Sequence, residues 1–219
     1  MKPLPPRASA VLLFALAASG CVQSLAPSVV TTSLAPEPAP SAPSAPPPAS
    51  APARLALATA GMANAALASH DLEIPVAGAS PYSLEDSFDS PREGGREHHA
   101  IDILAPRGTP VLAADDGRVL RLSSNTLGGI TVYTIDRTGE FVYYYAHLEG
   151  YRDGLHAGDI VSKGDTLGYV GTTGDAPANV PHLHFQILQM PPNGRYWEGD
   201  PIDPFPLLSE RATRIVGSH

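Results

Sequence analysis

The close spacing of turn signals after Leu72 limits the fold of this chain more than any other feature. Short apolar or alternating runs are separated there by glycine-containing turns such as Asp116-Gly117, Thr138-Gly139 and Thr173-Gly174. Runs this short do not suit amphipathic helices, but they suit β-strands, whose side chains alternate between two faces. The pattern predicts an all-β domain over residues 72–208, an antiparallel sheet folded as a sandwich or partial barrel.

Six strands are predicted from these runs. They are Ala100–Leu104, Arg118–Leu122, Ile130–Asp136, Phe141–His147, Thr166–Val170 and His182–Leu188. No amphipathic helix of normal length is predicted after Pro75. Neither a Rossmann nor a P-loop glycine pattern occurs between a strand and a helix, so nucleotide binding has no support.

The N-terminus has the pattern of an export signal. Lys2 and Arg7 precede an apolar run from Ala8 to Ala18, which is shorter than the roughly 20 residues that span a bilayer but suits a signal peptide. Cys21, the only cysteine, follows at the position where the lipobox of bacterial lipoproteins has its lipidated residue. Residues 1–21 therefore predict a membrane-anchored lipoprotein of the periplasm or cell envelope; a plain secretory signal, with Cys21 incidental, is the alternative.

A segment rich in Pro, Ala and Ser follows the signal. Residues 22–71 predict a disordered, extended tether, because such a composition buries too little apolar surface to offset the entropy lost on ordering. Residues 54–69 are rich in Ala and Leu and predict one short helix within it. Residues 209–219 remain as a C-terminal tail.

Charge and cysteine content exclude two kinds of site. The formal net charge of −8 argues against nucleic-acid binding, which depends on Lys and Arg that meet phosphates. A single cysteine excludes an intrachain disulfide framework and a cysteine-rich zinc site. Any bound metal must therefore be held by histidines and carboxylates.

Histidines occur at three informative places. His98 and Asp102 are four residues apart, so in an extended strand both side chains would point to the same face; imidazole and carboxylate are ligands that zinc accepts. His182 and His184 would likewise share one face of a strand, with the apolar residues between and after them on the core face. His147 ends an aromatic strand.

These motifs, in this order, resemble the lysostaphin/LytM family of zinc metallopeptidases. The resemblance rests on H-x-x-x-D at residues 98–102, Tyr-x-His-Leu at 145–148 and H-x-H-Phe at 182–185, with further similarity at 105–111 and 168–174. It covers Pro75 to Leu208. One departure is Ala100, where the family usually has glycine.

The resemblance implies a fold with a substrate groove and assigns the site. It makes His98, Asp102 and His184 the Zn²⁺ ligands, and His147 and His182 the catalytic pair. It also implies peptidoglycan as the substrate, cut at its peptide cross-links by a zinc-bound water that a histidine activates. The alternative within the family is a non-catalytic lipoprotein that activates separate cell-wall amidases.

Overall fold

The structure, a computed structural model, describes residues 61–210. The predicted signal peptide, the lipidation site Cys21 and most of the predicted tether and tail lie outside these residues. The strands are Pro91–Arg92 (β1), Arg96–Glu97 (β2), Ile101–Leu104 (β3), Pro110–Leu112 (β4), Gly117–Asn125 (β5), Gly129–Asp136 (β6), Phe141–Tyr151 (β7), Ile160–Val161 (β8), Thr166–Val170 (β9), His182–Gln189 (β10) and Asp200–Ile202 (β11). Residues 61–67 (α1) and Pro204–Ser209 (α2) are helical, and short 3₁₀ turns lie at Ala68–His70, Pro81–Ser83, Glu93–Gly95 and Tyr196–Glu198.

The predicted antiparallel all-β architecture is confirmed. The main sheet has the strand order β11-β10-β7-β6-β5-β8, to which β3, β4 and β9 are added, whereas β1 and β2 form a separate two-stranded ribbon. Each of these pairings is antiparallel. Such a sheet can bury one face and leave the other open, as a site built on a sheet requires.

Strand β10 pairs with three other strands. Its first half pairs with β3 and its second half with β11, while β7 pairs along the opposite edge. In this register His184 lies between Asp102 of β3 and Ala146 of β7. The pairing thereby brings residues that are far apart in sequence next to one another.

Alternation along β7 and β10 separates a core face from an open face. Leu183 and Phe185 of β10 and Tyr145 of β7 are fully buried, whereas the ring of Tyr144 lies on the opposite face and lines a cleft. The predicted core positions of β10 are therefore confirmed. Fully burying one such apolar side chain stabilises the fold by about 1.5–3 kcal/mol.

A β-bulge in β7 sets the direction of His147. Between the pairs Val132↔Tyr145 and Ile130↔Leu148 the register shifts, so two residues of β7 oppose one of β6. His147 is the second of these and has a positive φ of 61°, a conformation uncommon outside glycine. Bulges re-aim side chains beside functional sites, and this one turns the His147 side chain toward the cleft.

Of two segments before β3, one differs from the prediction and one agrees with it. The strand begins at Ile101, and His98 lies outside it, because His99 adopts a left-handed conformation (φ 53°) that interrupts the extended chain. The helix predicted at residues 54–69 is present over the described residues 61–67, and Leu67 is buried in the same core as the strands. Among residues 61–210, no helix is long and apolar enough to cross a membrane.

Candidate metal centre

Three side chains from distant parts of the chain converge at one end of β10. The ligand atoms of His98, Asp102 and His184 all lie within 4.8 Å of one another. The Nε2 atom of His98 lies 2.9 Å from Oδ1 of Asp102 and 3.0 Å from Nδ1 of His184. These three residues are here called the metal group. The sequence motifs predicted them as ligands of one ion, and the structure places them in contact.

His98 reaches this position by a route that differs from the predicted one. It precedes β3, and the left-handed His99 turns the chain so that the His98 ring still meets Asp102. Nδ1 of His98 donates a hydrogen bond to the backbone carbonyl of Ser87 at 2.9 Å. Because a carbonyl can only accept, Nδ1 carries the proton and Nε2 of the neutral ring is left with a lone pair.

Asp102 places an anionic oxygen among imidazole nitrogens. Three of them lie close to Oδ1, from His98 at 2.9 Å, His184 at 3.3 Å and His182 at 3.8 Å, yet this buried oxygen has no hydrogen-bond partner. Burial raises the pKa of Asp102, but the contacts with His184, His98 and Arg92 outweigh it and hold that pKa well below its ordinary value. The carboxylate is therefore ionised.

His184 completes a donor set for a cation. Burial lowers its pKa to about 4, against the opposing effect of Asp102, so the ring is neutral at neutral pH, as metal ligation requires. An unpartnered carboxylate oxygen beside two neutral imidazoles would be costly without a cation to compensate it. Two imidazole nitrogens and one carboxylate oxygen are a set that zinc accepts with a fourth position open, so these residues fit the metal implied by the motifs.

His147 and His182, here called the imidazole pair, lie beside the metal group. Their ring centroids are 4.9 Å apart, and the His147 ring lies 5.7 Å from that of His184. Each Nδ1 donates to a backbone carbonyl at 2.8 Å, that of Thr173 for His147 and that of Val180 for His182. With Nδ1 as the donor, each ring has Nε2 as the nitrogen that can accept a proton.

The environment of His147 favours its neutral form. Burial is the main cause that lowers its pKa, and the nearby His182 lowers it further, while the Thr173 carbonyl acts in the opposite direction. Its Nε2 atom lies 4.0 Å from Asp175, too far for a hydrogen bond. A neutral imidazole near the reacting atoms is available as a general base.

His98 and His184 of the metal group, together with His147, line a cleft of about 300 Å³. Its floor includes Tyr144 and Gln186 from the open face of the sheet. Ring contacts continue from His184 to Tyr144 (5.9 Å between centroids) and from Tyr144 to Tyr133 (4.5 Å). His99 also lines the cleft.

Arg92 is the main cleft residue that the sequence motifs did not indicate. Its guanidinium contacts Oδ2 of Asp102. A possible signal was the Pro-Arg-Glu-Gly-Gly-Arg run at 91–96, since two glycines between basic residues are typical of a tight turn.

Comparison with known proteins agrees with this geometry. The sequence pattern of Peptidase family M23 matches residues 96–204, half of the chain, and that segment includes the metal group and the imidazole pair. This segment of the chain, residues 96–204, belongs to peptidase family M23.

The similar proteins include M23 members from several bacteria. The L-Ala--D-Glu endopeptidase of Bacillus subtilis is 33% identical over 150 residues, which cover 65% of this chain and 44% of that protein. The peptidoglycan DD-endopeptidase ShyC of Vibrio cholerae is 38% identical over 93 residues, 42% of this chain and 20% of that protein. The chain thus spans less than half the length of these curated relatives.

A solved structure supports the M23 fold. The structure of lytM from Ruminococcus gnavus has a TM-score of 0.51 and 32% sequence identity, over 60% of this chain and 54% of that one. The names of the two curated relatives refer to different bonds, L-Ala–D-Glu in one and a DD bond in the other.

Proposed function

We propose that this protein is a zinc-dependent endopeptidase that hydrolyses peptide cross-links of bacterial peptidoglycan. One observation carries the proposal: the buried, ionised Oδ1 of Asp102 has no hydrogen-bond partner and faces imidazole nitrogens of His98 and His184. A cation is the group that such an oxygen lacks. Beside it, two further imidazoles hold free Nε2 atoms, as acid–base chemistry requires.

The metal group would hold the ion through Nε2 of His98, Oδ1 of Asp102 and Nδ1 of His184. When bound there, Zn²⁺ would polarise the scissile carbonyl and lower the pKa of a coordinated water to about 7. The tautomer of His98 supports this role. Its Nδ1–H donates a hydrogen bond to the Ser87 carbonyl, so the Nε2 lone pair is the one directed at Asp102.

The imidazole pair would move the protons of the reaction. Nε2 of His182 accepts a proton from the attacking water as the oxygen bonds to the scissile carbonyl carbon. The same proton passes to the leaving nitrogen as the carbon–nitrogen bond breaks, which gives a carboxylic acid and an amine; transfer of the acid proton to the amine then yields a carboxylate and an ammonium group. His147 would orient the water or stabilise the developing charge, and its fixed Nδ1 bond to Thr173 holds the ring for that purpose.

The cleft suits an extended peptide. It runs across the open face of an antiparallel sheet, with Tyr144 and Gln186 on its floor. The names of the relatives refer to peptide bonds of peptidoglycan or to endopeptidase activity on it, which supports this substrate class.

The N-terminal sequence supports a location beside that substrate. We propose that the chain is exported and anchored in a membrane through a lipid on Cys21, within the cell envelope. Mass spectrometry of the mature N-terminus tests this: an acylated Cys21 as first residue is expected, whereas an unmodified N-terminus at Val22 or later would contradict it.

Digestion of purified peptidoglycan tests the activity. The zinc-loaded protein is incubated with peptidoglycan, with and without a zinc chelator, and the soluble muropeptides are separated by chromatography. Loss of cross-linked dimers that the chelator abolishes and added zinc restores is expected. No cleavage by folded, zinc-loaded protein would contradict the proposal and favour the amidase-activating alternative.

A further inference from the structure

We propose that Arg92 is a positioning residue for the metal group, which holds the Asp102 carboxylate so that only one of its oxygens is offered to the ion. This inference rests on the zinc centre proposed above. It concerns a residue that precedes the segment matched by the family pattern, which begins at residue 96.

The two oxygens of Asp102 have different surroundings. Oδ2 contacts Nη2 of Arg92, whereas Oδ1 faces the imidazoles without a hydrogen bond. A guanidinium is planar and always charged, and it presents donors in fixed directions. With Oδ2 engaged by this donor, rotation of the carboxylate about its last bond is opposed, and Oδ1 stays directed at the ligand nitrogens.

Arg92 is attached to the same backbone segment that carries His98. It lies on β1, where it is the register partner of Arg96 on β2. Directly after β2, the His98 N–H donates to the Ser90 carbonyl at 3.0 Å, and the His99 N–H donates to the Phe88 carbonyl at 2.8 Å. The ribbon therefore fixes one ligand through its backbone and, through the Arg92 side chain, a second ligand on β3.

If Arg92 and Asp102 formed a simple surface ion pair, zinc affinity would respond differently to substitution of Arg92. Such pairs contribute at most about 1 kcal/mol to folding, and a cation beside a zinc site weakens zinc binding by repulsion. If Arg92 acted only as a nearby charge, a substitution that keeps the charge would leave zinc affinity unchanged. If Arg92 positions Asp102, the same substitution weakens zinc binding, because Lys offers one flexible ammonium in place of a planar fork.

Zinc affinity of the Arg92→Lys protein tests the proposal without reference to activity. The Kd for Zn²⁺ is measured on the full chain by competition with a chromogenic chelator, and thermal unfolding of the metal-free proteins checks that the fold is retained. We expect affinity to fall by about 10-fold, at the lower end of the range for residues that orient metal ligands. The matched control is Arg107→Lys, an arginine whose guanidinium pairs with the Glu149 carboxylate at 2.7 Å and does not line the cleft, for which we expect no change.

The visible absorption of the Co²⁺-substituted proteins gives a second readout. A carboxylate released from Arg92 can bind the ion through both oxygens, which raises the coordination number and lowers the absorption intensity. Weaker absorption in Arg92→Lys than in the native protein and the control is therefore expected. Unchanged or tighter zinc binding in Arg92→Lys, or a native protein that binds no zinc, would overturn the proposal. Native protein that binds zinc but leaves peptidoglycan intact would contradict the proposed activity alone.

Discussion

The metal group and the imidazole pair both contain two histidines but surround them differently. In the metal group, Nε2 of His98 and Nδ1 of His184 lie 3.0 Å apart, and Oδ1 of Asp102 lies 2.9 Å and 3.3 Å from them. In the imidazole pair, each Nδ1 is held by a backbone carbonyl, and neither Nε2 lies within hydrogen-bond distance of a carboxylate. In our proposal the first arrangement holds a cation, and the second accepts and donates a proton.

Under the proposed function, the metal group holds an ion and the imidazole pair moves a proton. The metal group depends on side chains from β3 and β10 and from the turn before β3. The imidazole pair depends on loop carbonyls of Thr173 and Val180. Changes to one group should therefore leave the other intact, and the predictions below test that independence.

The largest effect is expected for Asp102→Ala. Removing the carboxylate leaves two neutral imidazoles, which lack the negative charge that compensates the ion. We expect loss of bound zinc and a fall of peptidoglycan cleavage to that of chelator-treated protein, as measured by metal analysis and muropeptide chromatography. Full zinc content in this variant would refute the assignment of Asp102 to the metal group.

The His182→Ala variant, and in a separate protein the His147→Ala variant, should lose activity and keep zinc. Each lacks an imidazole that can handle a proton, which is worth about 10²- to 10⁴-fold in rate, while the metal group is untouched. Cleavage rate and zinc content are measured on the same preparations. His156→Ala is the control, because this exposed imidazole lies outside both groups; loss of zinc in the His182 or His147 variant would contradict the separation.

A smaller effect is expected for Gly174→Ala. Gly174 has φ 78°, and a Cβ there would lie 2.2 Å from the Leu127 carbonyl oxygen, so the loop must shift and move the Thr173 carbonyl that holds His147. We expect cleavage to fall by about 10-fold with zinc affinity unchanged, since small misplacements of catalytic groups are costly.

The matched control for that loop is Gly154→Ala. Gly154 has a similar φ of 74°, but no atom lies within 4 Å of its Cβ position. Its substitution should cost about 1–2 kcal/mol of stability through backbone strain alone, with full activity per folded molecule. Equal activity losses in both glycine variants would show that the Thr173 carbonyl does not position His147.

The smallest effect is expected for His99→Asn. His99 adjoins a metal-group residue in sequence, but its ring contacts Phe88 and Glu97 and belongs to neither group. Asn tolerates the left-handed conformation that His99 adopts, so we expect stability to change by less than about 0.5 kcal/mol and zinc affinity to stay constant. A calorimetric melt and a zinc titration check this; a loss of zinc would place His99 in the metal group.

Strands with a periodic pattern were predictable from the sequence, whereas the short ribbon β1–β2 was not. Strand β9 has the predicted bounds, and β10 extends only one residue past its predicted end, because alternating apolar residues bounded by turns carry a direct signal. The ribbon β1–β2 was not predicted, since strands of two residues have no periodicity to detect.

The sequence predicted which residues form the site, but not the backbone path that brings them together. His98 was expected on a continuous strand, and the left-handed His99 shows that a turn delivers it instead. The contact between Arg92 and Asp102 depends on the path of the chain through Gly94 and Gly95, both with positive φ. Such a path is fixed by the turn and by the pairing of the ribbon, neither of which a motif encodes.

The position of the bound ion tests the account most directly. Crystals of the zinc-loaded protein, with diffraction recorded on both sides of the zinc absorption edge, locate the metal by its anomalous signal. The account predicts one zinc coordinated by Nε2 of His98, Oδ1 of Asp102 and Nδ1 of His184, with the imidazole pair outside its direct coordination. A zinc bound by His147 or His182, or one that leaves Asp102 uncoordinated, would contradict it.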